Sequence, residues 1–188
     1  MRPRTAVLVL LLAATCWTGA GVLSPLARAE RTPDNELLYY PAGDFVRESA
    51  LGFRQAAASF AWLRTVQYYG EHKRGDRIFD MMYHMCDIVT DLDPRFEEPY
   101  TFGSWVLFTD GQNPREGFQL LQKARENNPD SWRIFFESGF AYHVFERDYP
   151  TALRYFERAA ELPGAPEYVD RFAAFAAKRA GDLEASLY

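Results

Sequence analysis

Three stretches decide how this chain folds: Met82–Pro94 reads MYHMCDIVTDLDP, Gly117–Pro129 reads GFQLLQKARENNP, and Ala152–Pro163 reads ALRYFERAAELP. Aligned on their first residues, they place Met82, Gly117 and Ala152 in register, then Cys86, Leu121 and Phe156, then Val89, Ala124 and Ala159. Each row steps by 35 residues, and each stretch ends on a proline, at Pro94, Pro129 or Pro163. The steps of four and three within each stretch put these residues on one helix face. Small residues such as Gly117, Ala124, Ala152 and Ala159 let two helices approach closely. The larger residue between them fills the next hole, and the proline stops the helix. A fixed period of this length is the signature of a repeat architecture.

Working outward, the segments between these stretches are helical too. Phe53, Ala57, Phe60, Leu63 and Val66 recur at helical steps, which predicts a helix ending near Gly70. Ile78, Met82, Met85, Cys86 and Val89 predict the next, stopped by Asp93-Pro94. Helices are expected over Glu97 to Thr109, from Pro114 to Asn127, and from Trp132, capped by Ser131, to Glu146. Pro150 opens another that ends at Leu162-Pro163-Gly164. Glu167 to Ala180 is the next, and Gly181-Asp182 starts a last short one. Upstream, Asp44 caps a short helix to about Leu51. No alternating strand pattern competes, so the fold class is all-α. At the same 35-residue period the preceding helices carry small residues at Ser104 and Gly139, with Leu107 and Tyr142 three positions on.

The series Ala152-Phe156-Ala159, with Gly139 and Tyr142 before it, resembles the tetratricopeptide repeat family of helix-turn-helix repeats, whose usual period is one residue shorter. The first repeat departs most, with Met82 and Val89 where the family has small residues. The resemblance implies a right-handed α-solenoid over residues 62–188, with repeats at about 62–96, 97–131 and 132–166 and a partial one at 167–188. The stretch Leu37 to Phe45 (LLYYPAGDF), followed by Ala61 to Gly70 (AWLRTVQYYG), is similar to exported or membrane-anchored bacterial members of no assigned chemistry. In such folds the first helices of each pair line a concave surface that holds a partner. Carried onto this chain, the inward positions are Thr101, Trp105 and Phe108, then Arg133, Phe136, Phe140 and His143, with Phe102 beside them. Trp105 and Phe140 are one period apart, as are Phe108 and His143. Either a partner occupies this aromatic groove, or the helix Phe53 to Tyr69 or the stretch before it fills it. The truncated last repeat offers a second surface at Phe172 and Phe175, covered either by Leu183 to Tyr188 or by another protein.

The first thirty residues read as an address. Arg2 and Arg4 precede the uncharged stretch Ala6 to Leu23, and Ala27-Arg28-Ala29 offers a cleavage site. Residues 1–29 are therefore a secretory signal or an uncleaved anchor. The chain is expected on the far side of an inner membrane, periplasmic and soluble after cleavage, or tethered by residues 6–23. Lipidation at Cys16 is a weaker third reading, because Ala13-Ala14-Thr15 lacks the usual preceding residues. Residues 30–61 form a linker and a first helical segment.

Composition narrows the function. The chain has 188 residues, 48 % hydrophobic and 25 % charged, the balance of a folded domain. Net charge is −5; removal of Arg2, Arg4 and Arg28 with the leader leaves 18 basic residues against 26 acidic, or −8. Such an acidic body lacks the field that holds nucleic acid, so no nucleic-acid partner is expected. Cys16 and Cys86 cannot build a disulfide framework or a thiolate metal site. Cys86 falls at the large core position of its repeat, so a buried thiol is expected there, with His84 turned outward. Asp91, Asp93, Glu97 and Glu98 read as a solvated inter-repeat loop rather than a paired-carboxylate centre. No phosphate-binding glycine loop, haem motif or zinc-helix motif is present. The reading is a protein that is not an enzyme, takes no cofactor or small-molecule substrate, and binds other proteins. It would act as an interaction scaffold or assembly factor of an envelope complex. The alternatives are a permanently bound accessory subunit of a membrane complex and a periplasmic chaperone for secretion or pilus subunits.

Overall fold

A computed structural model describes residues 52–186, with side chains through Gly181. The leader, the linker, the helix capped by Asp44 and the side chains of Leu183 to Tyr188 lie outside the described residues. Within them the chain is all helical: α1 (Arg54–Arg74), α2 (Met82–Leu92), α3 (Glu97–Thr109), α4 (Pro114–Asn127), α5 (Trp132–Ala141), a π-helical turn (Tyr142–Glu146), α6 (Tyr149–Glu161) and α7 (Tyr168–Ser186). Each helix packs on the next in sequence, and α2 also meets α4 as α3 meets α5.

The helix boundaries follow local chemistry. Asn113, Ser131 and Asp148 each accept a backbone N–H three residues on, at 3.4, 3.4 and 3.1 Å, and Pro114 and Pro150 sit in first turns where no amide partner is lost. All nine residues of the aligned rows are buried: Met82, Cys86, Val89, Gly117, Leu121, Ala124, Ala152, Phe156 and Ala159. The small positions are small for a reason. A methyl on Gly117 would stand 2.6 Å from the Phe108 ring, and one on Gly139 would stand 2.8 Å from Phe156.

Polar contacts repeat with the same step. Arg133 donates to Glu98 at 3.2 Å and Arg95 pairs with Asp130, both 35 residues apart. Lys123 bridges Asp87 and Asp91, each at 2.6 Å. Buried Tyr100 donates to the Pro94 carbonyl and accepts from Asn127, while the Asn128 amide also donates to Pro94 at 3.0 Å. These bonds tie the turn after α2 to the end of α4, where unpaired backbone carbonyls would otherwise be buried.

Five expectations change. α1 passes Gly70 and ends at Gly75; glycine weakens a helix interior but does not end one by itself. Its buried residues are Ala58, Thr65 and Tyr68, whereas Phe53, Phe60, Leu63 and Val66 are exposed. The side that carries Trp62 and Tyr69, not that stripe, faces the bundle: the two pack edge-on against Phe102 at 5.5 and 5.1 Å. Ile78 lies before α2 and is exposed. The helix expected to reach Glu146 is α-helical only to Ala141. The wider turn that follows ends at Arg147, with φ 55°, whose amide donates to the Tyr142 carbonyl. Finally, α7 continues through Gly181 to Ser186 as one helix.

Candidate functional site

Two depressions collect most of the expected binding residues. The first, about 390 Å³, is lined by Trp62, Glu98, Thr101, Phe102, Trp105, Arg133 and Glu137. Its polar groups are already satisfied within the chain. Trp105 donates its indole N–H to Glu137 at 2.9 Å, Arg133 pairs with Glu98, and the Thr101 hydroxyl donates to the Glu98 carbonyl at 3.2 Å. α1 covers part of the aromatic row here, because Trp62 sits edge-on to Phe102 and to Phe96. At Phe102, therefore, the groove is filled by the chain's own first helix.

The second, about 450 Å³, is a cleft lined by Phe140, His143, Val144, Arg171, Phe172 and Phe175. It joins residues that the sequence assigns to two separate surfaces. The reason lies in packing: Phe172 of α7 lodges against Phe136, Phe140 and Phe156, at centroid distances of 5.1, 6.0 and 5.6 Å. That contact pulls α7 alongside α5 and α6, so the expected end surface and the expected groove meet. Phe175 stays 61 % exposed at the cleft's edge. Trp105 and Phe140, one period apart, touch at 5.6 Å and link the two depressions into one aromatic row.

The π turn presents His143 and Val144 to the cleft. His143 packs edge-on against Tyr149 at 5.1 Å. Its Nδ1 is shut off from solvent and has no hydrogen-bond partner. Burial, with Arg179 nearby, holds its imidazole below the usual histidine range, so it is neutral at pH 7. With Nδ1 buried and unpaired, the tautomer that carries the proton on Nε2 costs less, since an orphaned acceptor is cheaper than an orphaned N–H.

Searched against protein families and against curated proteins, the chain matches none. The likeness to tetratricopeptide repeats therefore rests on the residues themselves.

Two expected residues lie away from either depression. Phe108 is buried between α3 and α4, stacked on Phe145 at 4.5 Å and against Phe118 at 4.9 Å, over the bare backbone of Gly117. It is core rather than a groove residue, and the absence of a side chain at Gly117 is what draws the ring inward. Phe136 supports the cleft from below, packed on Phe156, Tyr168 and Phe172. Sequence reasoning missed Trp62, Glu98, Glu137, Val144 and Arg171 as lining residues. Simple signals mark three of them: Glu137 and Val144 follow Arg133 and Phe140 by one helical turn, and Glu98 precedes Arg133 by one period. Among the described residues no group of three or more His, Cys, Asp and Glu side chains is arranged to hold a metal. Cys86 is fully buried, and that burial pushes its thiol far above the range of a reactive thiolate.

Proposed function

We propose that this chain is a non-catalytic protein-binding scaffold or assembly factor of a bacterial envelope complex, built on a right-handed solenoid of tetratricopeptide-like helix pairs. The observation that carries this reading is the aromatic row from Trp105 through Phe140 to Phe172, with Phe175 at its edge, in which Trp105 and Phe140 touch one period apart. Rigid aromatic side chains give large contact area at low entropic cost, which suits a surface for an apolar segment of another protein. The repeated ion pairs Arg95–Asp130 and Glu98–Arg133 support a periodic stack, because equivalent positions on neighbouring helix pairs meet. Export, through a cleaved signal or a tether at residues 6–23, belongs to the same proposal.

A permanently bound accessory subunit is the second reading, favoured by the exposure of Phe175 and Val144 beside the cleft. Gentle recovery of the native protein from its own membranes, with intact mass and co-purifying chains measured, separates the two. A mass beginning at Glu30 with a partner lost in Trp105→Ala or Phe140→Ala supports the scaffold. A mass retaining residues 1–29 with stoichiometric membrane chains supports the subunit. A solitary chain whose behaviour is unchanged by both substitutions sinks both readings.

A further inference from the structure

α1 differs from every helix after it in charge and in exposure. It carries Arg54, Arg64, Lys73 and Arg74 against a single acid, Glu71, whereas Gly75 to Tyr188 holds 12 basic residues against 20 acidic. It also has two apolar sides. One packs inward through Ala58, Thr65 and Tyr68. On the other, Phe53, Ala56, Phe60, Leu63 and Val66 recur at steps of three and four, and the four large ones are exposed by 75, 72, 54 and 41 %. Arg64 falls one turn beyond Phe60, and Lys73 and Arg74 fall two to three turns beyond Val66 and Leu63, on the same side of the helix.

The chemistry of that side selects among occupants. An apolar stripe with phenylalanine and leucine, edged by arginine and lysine, is the pattern of a helix lying in a bilayer interface. α1 is suited to lie there rather than to span, since no helix among the described residues is long and apolar enough to cross. The charge asymmetry adds direction. Anionic headgroups attract α1 and repel the acidic remainder, which turns the stripe toward the lipid. Lys73 is engaged with Asp110 at 2.6 Å, and Arg54 falls one turn before the inward-packing Ala58, so Arg64 and Arg74 supply most of the attraction.

We propose that α1 is a membrane-surface helix: its Phe53–Val66 stripe enters the headgroup and upper acyl region of an anionic bilayer, and its arginines meet the lipid phosphates. The test places a nitroxide on Phe60→Cys or Leu63→Cys in the full chain, with Cys16→Ser; Cys86 is fully buried and stays. An exposed position on α4, Gln122→Cys, is the control. Because the label reports its own surroundings, lipid binding by residues 6–23 does not imitate the result. On adding phosphatidylcholine vesicles containing phosphatidylglycerol, labels at 60 and 63 are expected to become accessible to oxygen and closed to a water-soluble nickel chelate, with the label at 122 unchanged. Replacing Arg64 or Arg74 by Gln is expected to weaken partitioning about fivefold each. Leu63→Asp is expected to abolish the lipid signature and, being at an exposed site, to leave the helical circular dichroism intact. Labels at 60 and 63 that stay open to the nickel chelate on these vesicles overturn the proposal. So do labels already shielded before lipid is added, which would mean that protein covers the stripe, from this chain or a second copy.

Discussion

Replacing Gly139 by alanine is the sharpest probe of how α5 meets α6. The new methyl would stand 2.8 and 2.9 Å from two ring carbons of Phe156 and 3.1 Å from the Ala152 carbonyl oxygen. Ordinary carbon contacts are about 3.5–4.0 Å, so something has to move. The Phe156 ring has no exposed surface and is hemmed in by Phe136 and Phe172 at 5.5 and 5.6 Å. The third obstacle is backbone, so the two helices have to part. Forced overpacking costs roughly 1–3 kcal/mol, and with backbone among the obstacles this site belongs in the upper part of that range, roughly 2–3 kcal/mol. Against it stands the gain from putting alanine in place of glycine in a helix, about 1 kcal/mol. The net expectation is a loss of roughly 1–2 kcal/mol. Gly70 supplies the internal control, because it too is helical but a methyl added there would meet nothing within 4 Å. Gly70→Ala therefore keeps only the propensity gain, roughly 0.5–1 kcal/mol. Urea unfolding followed by far-ultraviolet circular dichroism separates them. With a slope of about 2 kcal/mol per molar urea, the midpoint should fall by roughly 0.5–1 M for Gly139→Ala and rise by roughly 0.3–0.5 M for Gly70→Ala. A Gly139→Ala midpoint at or above the wild-type value, with unchanged slope, refutes the close approach of α5 and α6.

Other outcomes follow from the same contacts. Phe156→Ala empties a fully buried ring site and is expected to cost about 3–5 kcal/mol, whereas Phe175→Ala, largely exposed, should stay within about 0.5 kcal/mol in the same unfolding assay. Lys123→Met leaves Asp87 and Asp91 without their shared partner and is expected to cost about 1–2 kcal/mol at pH 7. Burial pulls the Lys123 ammonium down, but its bonds to the two aspartates outweigh that and hold its pKa above the ordinary lysine value. Its contribution is thus present at neutral pH and disappears only as pH rises through that raised value. His143 behaves in the opposite sense. Its pKa is lowered in the folded chain, so the unfolded chain takes up the proton first, and stability falls as pH drops below about 6.5. His143→Phe should flatten that part of a plot of urea midpoint against pH.

The aligned rows were legible because they report packing alone: a residue that has to be small, then one that fills, then a stop. All nine of those positions are buried. Periodicity served less well wherever two faces of one helix were both apolar. On α1 the stripe Phe53 to Val66 has the cleaner spacing, yet the other side wins the core, because Trp62, Tyr68 and Tyr69 reach further and bring polar ends that find partners. Tyr69 donates to Asp110 at 3.1 Å, and the Tyr68 oxygen accepts the Met81 amide at 3.2 Å. Phe108 shares its spacing with groove residues, and only the bare backbone of Gly117 on the neighbouring helix decides that it turns inward. The cleft itself was legible in its parts and not as a whole. Phe140 and His143 on one side and Phe172 and Phe175 on the other are recognisable as apolar or aromatic positions, but their meeting depends on how far α7 leans onto α5, which no local pattern encodes. The π turn at Tyr142–Glu146 was hidden for a similar reason, since its residues fit an ordinary helical pattern.

Site-specific photocrosslinking in living cells of the source organism tests the central claim most directly. A benzophenone amino acid is placed in turn at Phe175 and Trp105, on the aromatic row, and at Arg154, exposed on α6. The account predicts one and the same protein partner captured from positions 175 and 105 and none from 154. Adducts of equal yield at all three positions, or adducts at 175 and 105 only within the chain itself, contradict it.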